Sequence, residues 1–267
     1  MRIRHYEIWK PINSGGTANV YLAIDLHDGK PVALKKLKNG MLENPVMREK
    51  FIEEANRYLY LKHPNIVKLK DFILDDKEGY LIMEYVDGLN LKNFVEQVGG
   101  LPAQNVGLFC MEVLAALEYA HKKEVLHLDI KPANIMLSEK NEIKLIDFGI
   151  SSDSKKSNKE IMGSPYYMSP EQISGSNIDQ RSDIYSVGVT IYELFTGNLP
   201  FQDSKTREEL YAHIKSSEIP KVKVNFDSDR AYVNDVNEII TNCTAKNPND
   251  RYQTCEALQY DILKLMQ

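Results

Sequence analysis

The chain has 267 residues, of which 43% are hydrophobic and 27% are charged. This length fits one folded unit built from two lobes, and the composition excludes an intrinsically disordered chain. The net charge of -5 argues against a nucleic-acid-binding protein, because neutralising phosphates requires a basic surface.

The cysteine pattern predicts no covalent or metal framework. Cys110, Cys243 and Cys255 are odd in number, far apart and without Cys-x-x-Cys spacing, so they indicate neither disulfides nor a zinc site. The N-terminus has no apolar signal region, and no window reaches the roughly 18 apolar residues needed to cross a bilayer. We therefore expect a cytoplasmic chain without a membrane-spanning segment.

The first hundred residues are predicted to form a small sheet with one helix. Their β-branched and aromatic segments are bounded by Gly, Asn or Asp, as is typical of strands. Apolar residues then recur at helical spacing from about Val46 to Leu61, where His63-Pro64-Asn65 ends the pattern. The predicted strands are Tyr6 to Ile12, Val20 to Asp25, Pro31 to Leu37, Val67 to Leu74 and Tyr80 to Tyr85.

After Gly99-Gly100 the pattern becomes mainly helical, so the predicted fold class is α+β. The predicted helices are Pro102 to Lys122, about Ser182 to Phe195, Lys205 to Lys215, Ala231 to Cys243 and Thr254 to Met266. Three apolar runs are too short for helices and are predicted as strands: Val125 to Leu128, Asn134 to Leu137 and Ile143 to Ile146.

A glycine-bearing turn and a lysine at the end of an apolar strand stand early in the chain. Gly15 and Gly16 lie between two predicted strands, where missing side chains allow backbone N–H groups to approach phosphate oxygens, although a plain hairpin turn fits equally well. Lys35 ends the apolar Val-Ala-Leu-Lys strand; taken alone it fits a lysine that reaches the surface better, but if its ammonium points inward it needs an acid nearby. Glu54 on the predicted helix is the best acid, and Glu53 is the alternative.

A second polar group follows on two neighbouring loops. Asp129 can orient a substrate hydroxyl and accept its proton, and Lys131 can neutralise a transferring phosphoryl group. Asn134 and Asp147 offer the hard oxygen ligands that Mg²⁺ prefers. Turn-capping side chains are the alternative interpretation. His127 could act as a base, but its apolar surroundings favour a packed, hydrogen-bonded histidine.

Taken in order, these motifs resemble the eukaryotic-type Ser/Thr protein kinases, in a form similar to the bacterial members. The resemblance extends from Tyr6 to the segment ending at Arg251, and includes Gly163-Ser164 and Ser169-Pro170-Glu171. It implies a bilobal kinase fold over residues 1–267, with a small lobe to about residue 86 and a hinge and large lobe from about residue 87. It also implies a Mg-ATP-dependent transfer of the γ-phosphate to Ser or Thr of protein substrates, including this chain itself.

The resemblance assigns roles position by position. Lys35 paired to Glu54 would hold the phosphates, Asp129 would be the base, Lys131 would contact the γ-phosphate, and Asn134 and Asp147 would bind Mg²⁺. Glu171 would pair with Arg251, and Asp183 would anchor the catalytic loop. The residues implied around ATP are Gly15, Gly16, Val20, Ala33, Met83, Glu84 to Val86 as the hinge, and Met136.

Four positions, in three motifs, depart from the family pattern. Asn13 and Ala18 replace glycines of the phosphate-covering turn, and Leu128 replaces the Arg that grips a phosphate on the activation loop. Activation by loop phosphorylation is therefore not expected to matter much. Ser169 stands where Ala is usual. These departures leave a second hypothesis open, a nucleotide-binding pseudokinase that acts as a regulatory binding module.

Overall fold

The computed structural model describes residues 1–14, 18–38, 40–75, 78–148, 165–223, 226 and 230–266, without the side chains of Met41, Met47, Lys50 and Glu54. The chain divides into two compact units, Met1–Asp87 and Gly88–Gln267. The first consists mainly of strands and the second mainly of helices, which confirms the α+β class.

An antiparallel sheet forms most of the N-terminal unit, with its strands in the order β1-β2-β3-β4-β6-β5. The five predicted strands are confirmed as β2 to β6, and the two-residue β1 was not predicted. The strands are β1 Arg2–Ile3, β2 Tyr6–Ser14, β3 Ala18–Asp25, β4 Pro31–Leu37, β5 Leu69–Leu74 and β6 Gly79–Glu84.

The predicted helix of this unit is α1, Pro45–Leu59. Asn44 begins it, because its side chain accepts a hydrogen bond from the Val46 N–H and Pro45 supplies a helical φ at the first position. Phe51 and Ala55, four residues apart, are both buried on one side of the helix.

Strand β4 shows why this sheet has two different faces. Val32 and Leu34 point to one side and join a buried cluster with Ala23 and Ile82. Because side chains alternate along a strand, Lys35 must point to the opposite face. That face carries the residues described below.

Seven helices and a three-stranded sheet are described in the C-terminal unit. The helices are α2 Leu91–Val98, α3 Ala103–His121, α4 Pro170–Ser174, α5 Gln180–Thr196, α6 Arg207–Ser216, α7 Val233–Cys243 and α8 Cys255–Ile262. The strands are β7 Gly88–Asn90, β8 Ile135–Ser138 and β9 Ile143–Leu145, in the order β7-β8-β9.

Helix α5 is the core of this unit, and nearly every residue from Ser182 to Ile191 is buried. Gly188 permits the close packing of α5 on α7, because a Cβ there would collide with the Cβ of Cys243. The fixed position of α5 matters for the site, since it carries Asp183.

Three expectations need correction. Val125 to Leu128 is not a strand: the backbone turns at Leu128, where φ is 60°, and the N–H groups of His127 and Leu128 donate to the Asp183 carboxylate instead of a strand partner. Helix α2 begins before Gly99-Gly100, since Asn90 caps it and Leu91 and Val95 are buried one turn apart. The last helix is α8 followed by a 3-10 turn, Leu263–Met266.

All three cysteines are buried free thiols. Among the described residues, none of the helices has the length and apolar character required to span a membrane.

Candidate active site

The N-terminal unit places four of the implied nucleotide-binding residues on one face of its sheet. Val20 on β3 lies opposite Lys35 on β4, and Met83 on β6 lies opposite Ala33. Residues directly opposite in an antiparallel pair share a face, and so do residues two apart on one strand. The register therefore groups Val20, Ala33, Lys35 and Met83.

Lys35 is only 7% exposed, which agrees with the expectation that its ammonium points inward. Glu54 lies in α1, but its side chain is outside the described part of the structure, as are Gly15 and Gly16. Glu84 ends β6 next to this group, where its backbone N–H donates to the Lys68 carbonyl at 2.8 Å. Val86 is half-buried just beyond it.

In the C-terminal unit, Asp129, Lys131 and Asn134 form one hydrogen-bonded group. The Lys131 ammonium donates to Asp129 Oδ2 at 2.7 Å. The Asn134 amide Nδ2 donates to the same oxygen at 2.9 Å and to the Asp129 carbonyl at 2.8 Å. These contacts orient the carboxylate, and they turn Asn134 Oδ1, the remaining acceptor of the amide, away from Asp129.

Asp147 follows a segment that is joined directly to this loop. The Ile146 N–H donates to the Asn134 carbonyl at 3.0 Å, and the Ile146 carbonyl accepts from His127 Nε2 at 3.0 Å. Asp147 itself has φ of 61°, so the chain turns sharply at that residue. Asp129 and Asp147 thus stand on two segments that are joined by hydrogen bonds. Met136, which lies between them in sequence, is half-buried on β8.

His127 is a packed histidine, as the sequence favoured. Its ring is fully buried, donates from Nε2 to Ile146 and accepts the Asp129 N–H at Nδ1, 3.3 Å away. Burial lowers the pKa of His127 below its ordinary value, against the opposing charge of Asp183. Both ring nitrogens of the neutral histidine are therefore engaged in holding the loop.

Asp183 anchors the loop, as implied. It is fully buried and accepts hydrogen bonds from the backbone N–H groups of His127 at 2.9 Å and Leu128 at 2.7 Å, while the His121 ring lies 2.8 Å away. Burial alone would raise the pKa of Asp183, but these hydrogen bonds and the nearby imidazoles outweigh it and lower the pKa. The carboxylate stays ionised and fixes the loop backbone.

Two supporting residues, Gln172 and His121, were missed from the sequence. Gln172 Nε2 donates to the Leu128 carbonyl at 3.1 Å, and Ser169 and Gln172 form a reciprocal capping box at the start of α4. The Ser-x-x-Gln spacing is a signal that could have revealed the cap. His121, the partner of Asp183, ends α3 and carries no comparable signal.

The oxygen donors fit a magnesium ion. Asn134 Oδ1 and the Asp147 carboxylate are hard ligands on adjacent segments, and a protein site for Mg²⁺ needs only one or two such groups besides phosphate oxygens and water. The N-terminal unit provides a buried lysine beside the apolar residues Val20, Ala33 and Met83 on one sheet face. These are the parts that phosphoryl transfer requires.

Comparison with known proteins agrees with this geometry. The family described as "Protein kinase domain" matches residues 6–263. A probable serine/threonine-protein kinase of Clostridium perfringens is 34% identical over 97% of this chain and 38% of its own length. PknB of Mycobacterium leprae is 33% identical over 97% of this chain and 43% of its length, and PrkC of Bacillus subtilis is 35% identical over 96% and 40%.

The chain therefore spans about two fifths of the length of these curated relatives. With its strand-rich N-terminal unit, its helical C-terminal unit and a family match across nearly its whole length, the chain belongs to the protein kinase domain family.

Proposed function

We propose that this protein transfers the γ-phosphate of ATP, with Mg²⁺, to Ser and Thr hydroxyl groups of protein substrates, including its own. The observation that carries the proposal is the group formed by Asp129, Lys131 and Asn134, with Asp147 on the adjoining segment. The printed names of the bacterial relatives, which are Ser/Thr protein kinases, support the choice of acceptor.

Each residue in the C-terminal unit has a separate role in this proposal. Asp129 orients the acceptor hydroxyl and receives its proton, and Lys131 offsets negative charge on the moving phosphoryl group. Asn134 and Asp147 hold the metal ion, which when bound neutralises charge on the phosphates.

In the N-terminal unit, Lys35 contacts ATP phosphates with Glu54 as its acid, and Gly15 and Gly16 lie over them. Val20, Ala33, Met83 and the backbone from Glu84 to Val86 receive the adenine, together with Met136 of the C-terminal unit. We further propose that residues to about 86 form the small lobe and residues from about 87 the hinge and large lobe.

Replacing Asp129 with Asn tests the catalytic assignment. The amide keeps the size of the side chain but cannot accept the proton, so we expect kcat to fall by at least about 100-fold. The measurement is transfer of labelled phosphate from Mg-ATP to a generic protein acceptor, followed by hydrolysis to identify phosphoserine, phosphothreonine or phosphotyrosine.

Asp203→Asn is the matched control, because Asp203 is an exposed aspartate far along the chain from the loop. It should keep full activity, and both variants should keep the wild-type Tm. Equal labelling by wild type and Asp129→Asn protein would overturn the proposal. Nucleotide-induced stabilisation without turnover by the wild type would instead support the pseudokinase hypothesis.

A further inference from the structure

A second group of metal-ligand side chains lies in two adjacent turns of the N-terminal unit, apart from the residues used above. His5 is in the turn between β1 and β2, Asp25 is the last residue of β3, and His27 is in the turn that leads to β4. One ligand atom from each lies within 4.8 Å of the others. His5 Nε2 is 3.6 Å from Asp25 Oδ1, and the two imidazole rings stack with centroids 3.8 Å apart.

Two backbone hydrogen bonds and one contact of the Asp25 side chain hold these turns together. The Leu26 N–H donates to the His5 carbonyl at 2.9 Å, which joins one turn to the other. The Asp25 N–H donates to the Lys30 carbonyl at 2.9 Å, and Asp25 Oδ1 accepts the His27 N–H at 3.0 Å. A site built on a preformed frame has less conformational entropy to lose when an ion binds.

The chemistry of these three ligand side chains indicates which metal ions they would bind. Two imidazoles and a carboxylate suit Zn²⁺ and its first-row neighbours, whereas Mg²⁺ and Ca²⁺ prefer oxygen ligands throughout. The side chains of His5 and Asp25 are 23% and 15% exposed, and His27 is exposed, so an ion in solvent can reach all three. Three protein ligands would leave a fourth position for water.

We propose that His5, Asp25 and His27 form a binding site for one divalent transition-metal ion of the Zn²⁺ class. The site is independent of the magnesium ligands Asn134 and Asp147, and of the proposed activity. The ion would tie the β1–β2 turn to the β3–β4 turn, and it would stabilise the sheet that carries Lys35, because it binds the folded arrangement in preference to the unfolded chain.

Binding requires a defined local movement. In a tetrahedral complex the ligand atoms lie about 3.3 Å apart, from bond lengths near 2.0 Å. The three side chains must therefore approach one another by up to about 1.5 Å, and the stacked rings must turn out of parallel, because each nitrogen lone pair lies in its ring plane. The exposed His27 ring can make most of this turn.

Metal binding can be measured directly on the whole chain. The protein is prepared as Asp147→Asn to remove the proposed magnesium ligand, freed of metal with a chelator, and titrated by calorimetry with Zn²⁺ in the presence of millimolar Mg²⁺. We expect saturable binding of one ion and a higher Tm. Co²⁺ in place of Zn²⁺ should give visible absorption bands of a low-symmetry nitrogen and oxygen site.

Variants then assign the ligands. His5→Gln and His27→Gln should each weaken binding at least about tenfold, since even the loss of an outer-shell partner has that effect. His213→Gln removes a histidine on α6 and should leave binding unchanged. Because His27 is exposed, its variant should keep the metal-free Tm even if a change at Asp25, which caps a turn, disturbs folding. Absence of saturable Zn²⁺ binding, or equal binding by His27→Gln protein, would overturn the site.

Discussion

Lys246 is a charged residue whose surroundings oppose its charge. Its ammonium is buried and has no hydrogen-bond partner among the described residues, and it lies 5.8 Å from the centroid of the Tyr185 ring. Burial, reinforced by the charge of Arg251, lowers the pKa of Lys246 to about 8. The residue also lines a cavity of about 210 Å³ beside the C-terminal end of α7.

We expect Lys246→Met to be more stable than the wild type at pH 7, by about 1 kcal/mol after allowance for solvent screening. In the unfolded chain the lysine titrates at its ordinary 10.5, so between about pH 8 and 10.5 the unfolded state binds more protons and wild-type stability rises with pH. The advantage of the Met variant should therefore shrink over that range. Urea unfolding at several pH values measures it.

Lys215→Met is the control, because Lys215 is exposed on α6 and its removal should change stability little at any pH. A Met variant at 246 that is no more stable than the wild type, or an advantage that stays constant up to pH 10, would contradict the reasoning.

The sequence predicts the polar groups of the site better than their supports. Asp129, Lys131 and Asn134 lie within six positions, so their hydrogen bonds arise within one local turn. The spacing of such a turn can be recognised in the sequence. Gln172 reaches the same loop from α4, and His121 at the end of α3 contacts Asp183, which in turn holds the loop. Their contacts depend on tertiary packing, which no local pattern contains.

At the scale of elements, a buried ion pair joins α4 to the segment after α7, as the family resemblance implied. Arg251 donates to the two Glu171 oxygens at 2.7 and 2.9 Å, and also to backbone carbonyls that include Ala245. Burial opposes ionisation of Glu171, but the hydrogen bonds from Arg251 and Ser182 lower its pKa. The pair is fully bonded, so removing one partner leaves a buried charge.

Arg251→Met should lower the free energy of unfolding by about 3–5 kcal/mol, because the Glu171 carboxylate would remain buried without its counter-ion. Adding Glu171→Leu should recover part of that loss. Urea unfolding of the single and double variants provides the measurement.

Arg181→Met is a suitable comparison, since the Arg181 guanidinium donates to both carboxylate oxygens of Asp179 in a more exposed setting. We expect it to cost about 1 kcal/mol or less. An Arg251 variant that costs no more than the Arg181 variant would refute the argument for the buried pair.

Long helices are predicted well, and so are the short strands β8 and β9, but the short helices α2 and α4 are not predicted. The ends of α3 and α5 lie within two residues of the predicted bounds, because each helix carries many periodic apolar positions. Helix α4 has only five residues and depends on its capping box. The run before Asp129 was predicted as a strand because it is apolar. Its N–H groups at His127 and Leu128 instead donate to the Asp183 carboxylate, so it has no strand partner there.

For the whole molecule, buried titratable groups make stability depend on pH in two windows. Burial lowers the pKa of His63 and His127 below their ordinary 6.5. Glu171 and Asp183 have pKa values below their ordinary 4.5 and 3.8, despite burial that acts the other way, because of their hydrogen-bond partners. In each case the unfolded chain binds protons that the folded chain does not.

Stability should therefore fall first as pH drops below about 6.5, when the histidines of the unfolded chain gain protons, and more steeply below about 4.5, when its carboxylates do. Guanidinium unfolding at about pH 7.5, 5.5 and 3.5 tests both windows. The losses from the fully buried His127 and Asp183 should persist in added salt, since buried groups are screened little. Equal stability at the two higher pH values would contradict the histidine contribution.

Leu128 bears on how such a kinase could change over evolutionary time. Its side chain is 4% exposed, its backbone has φ of 60°, and its N–H and carbonyl are both engaged by other segments. A mutation to Arg at this codon would give the loop a receptor for phosphate only if the guanidinium left the interior and a new apolar neighbour filled the vacated space. We therefore expect Leu128→Arg alone to destabilise the folded chain, because it would either bury a guanidinium charge or leave a cavity where the leucine packs.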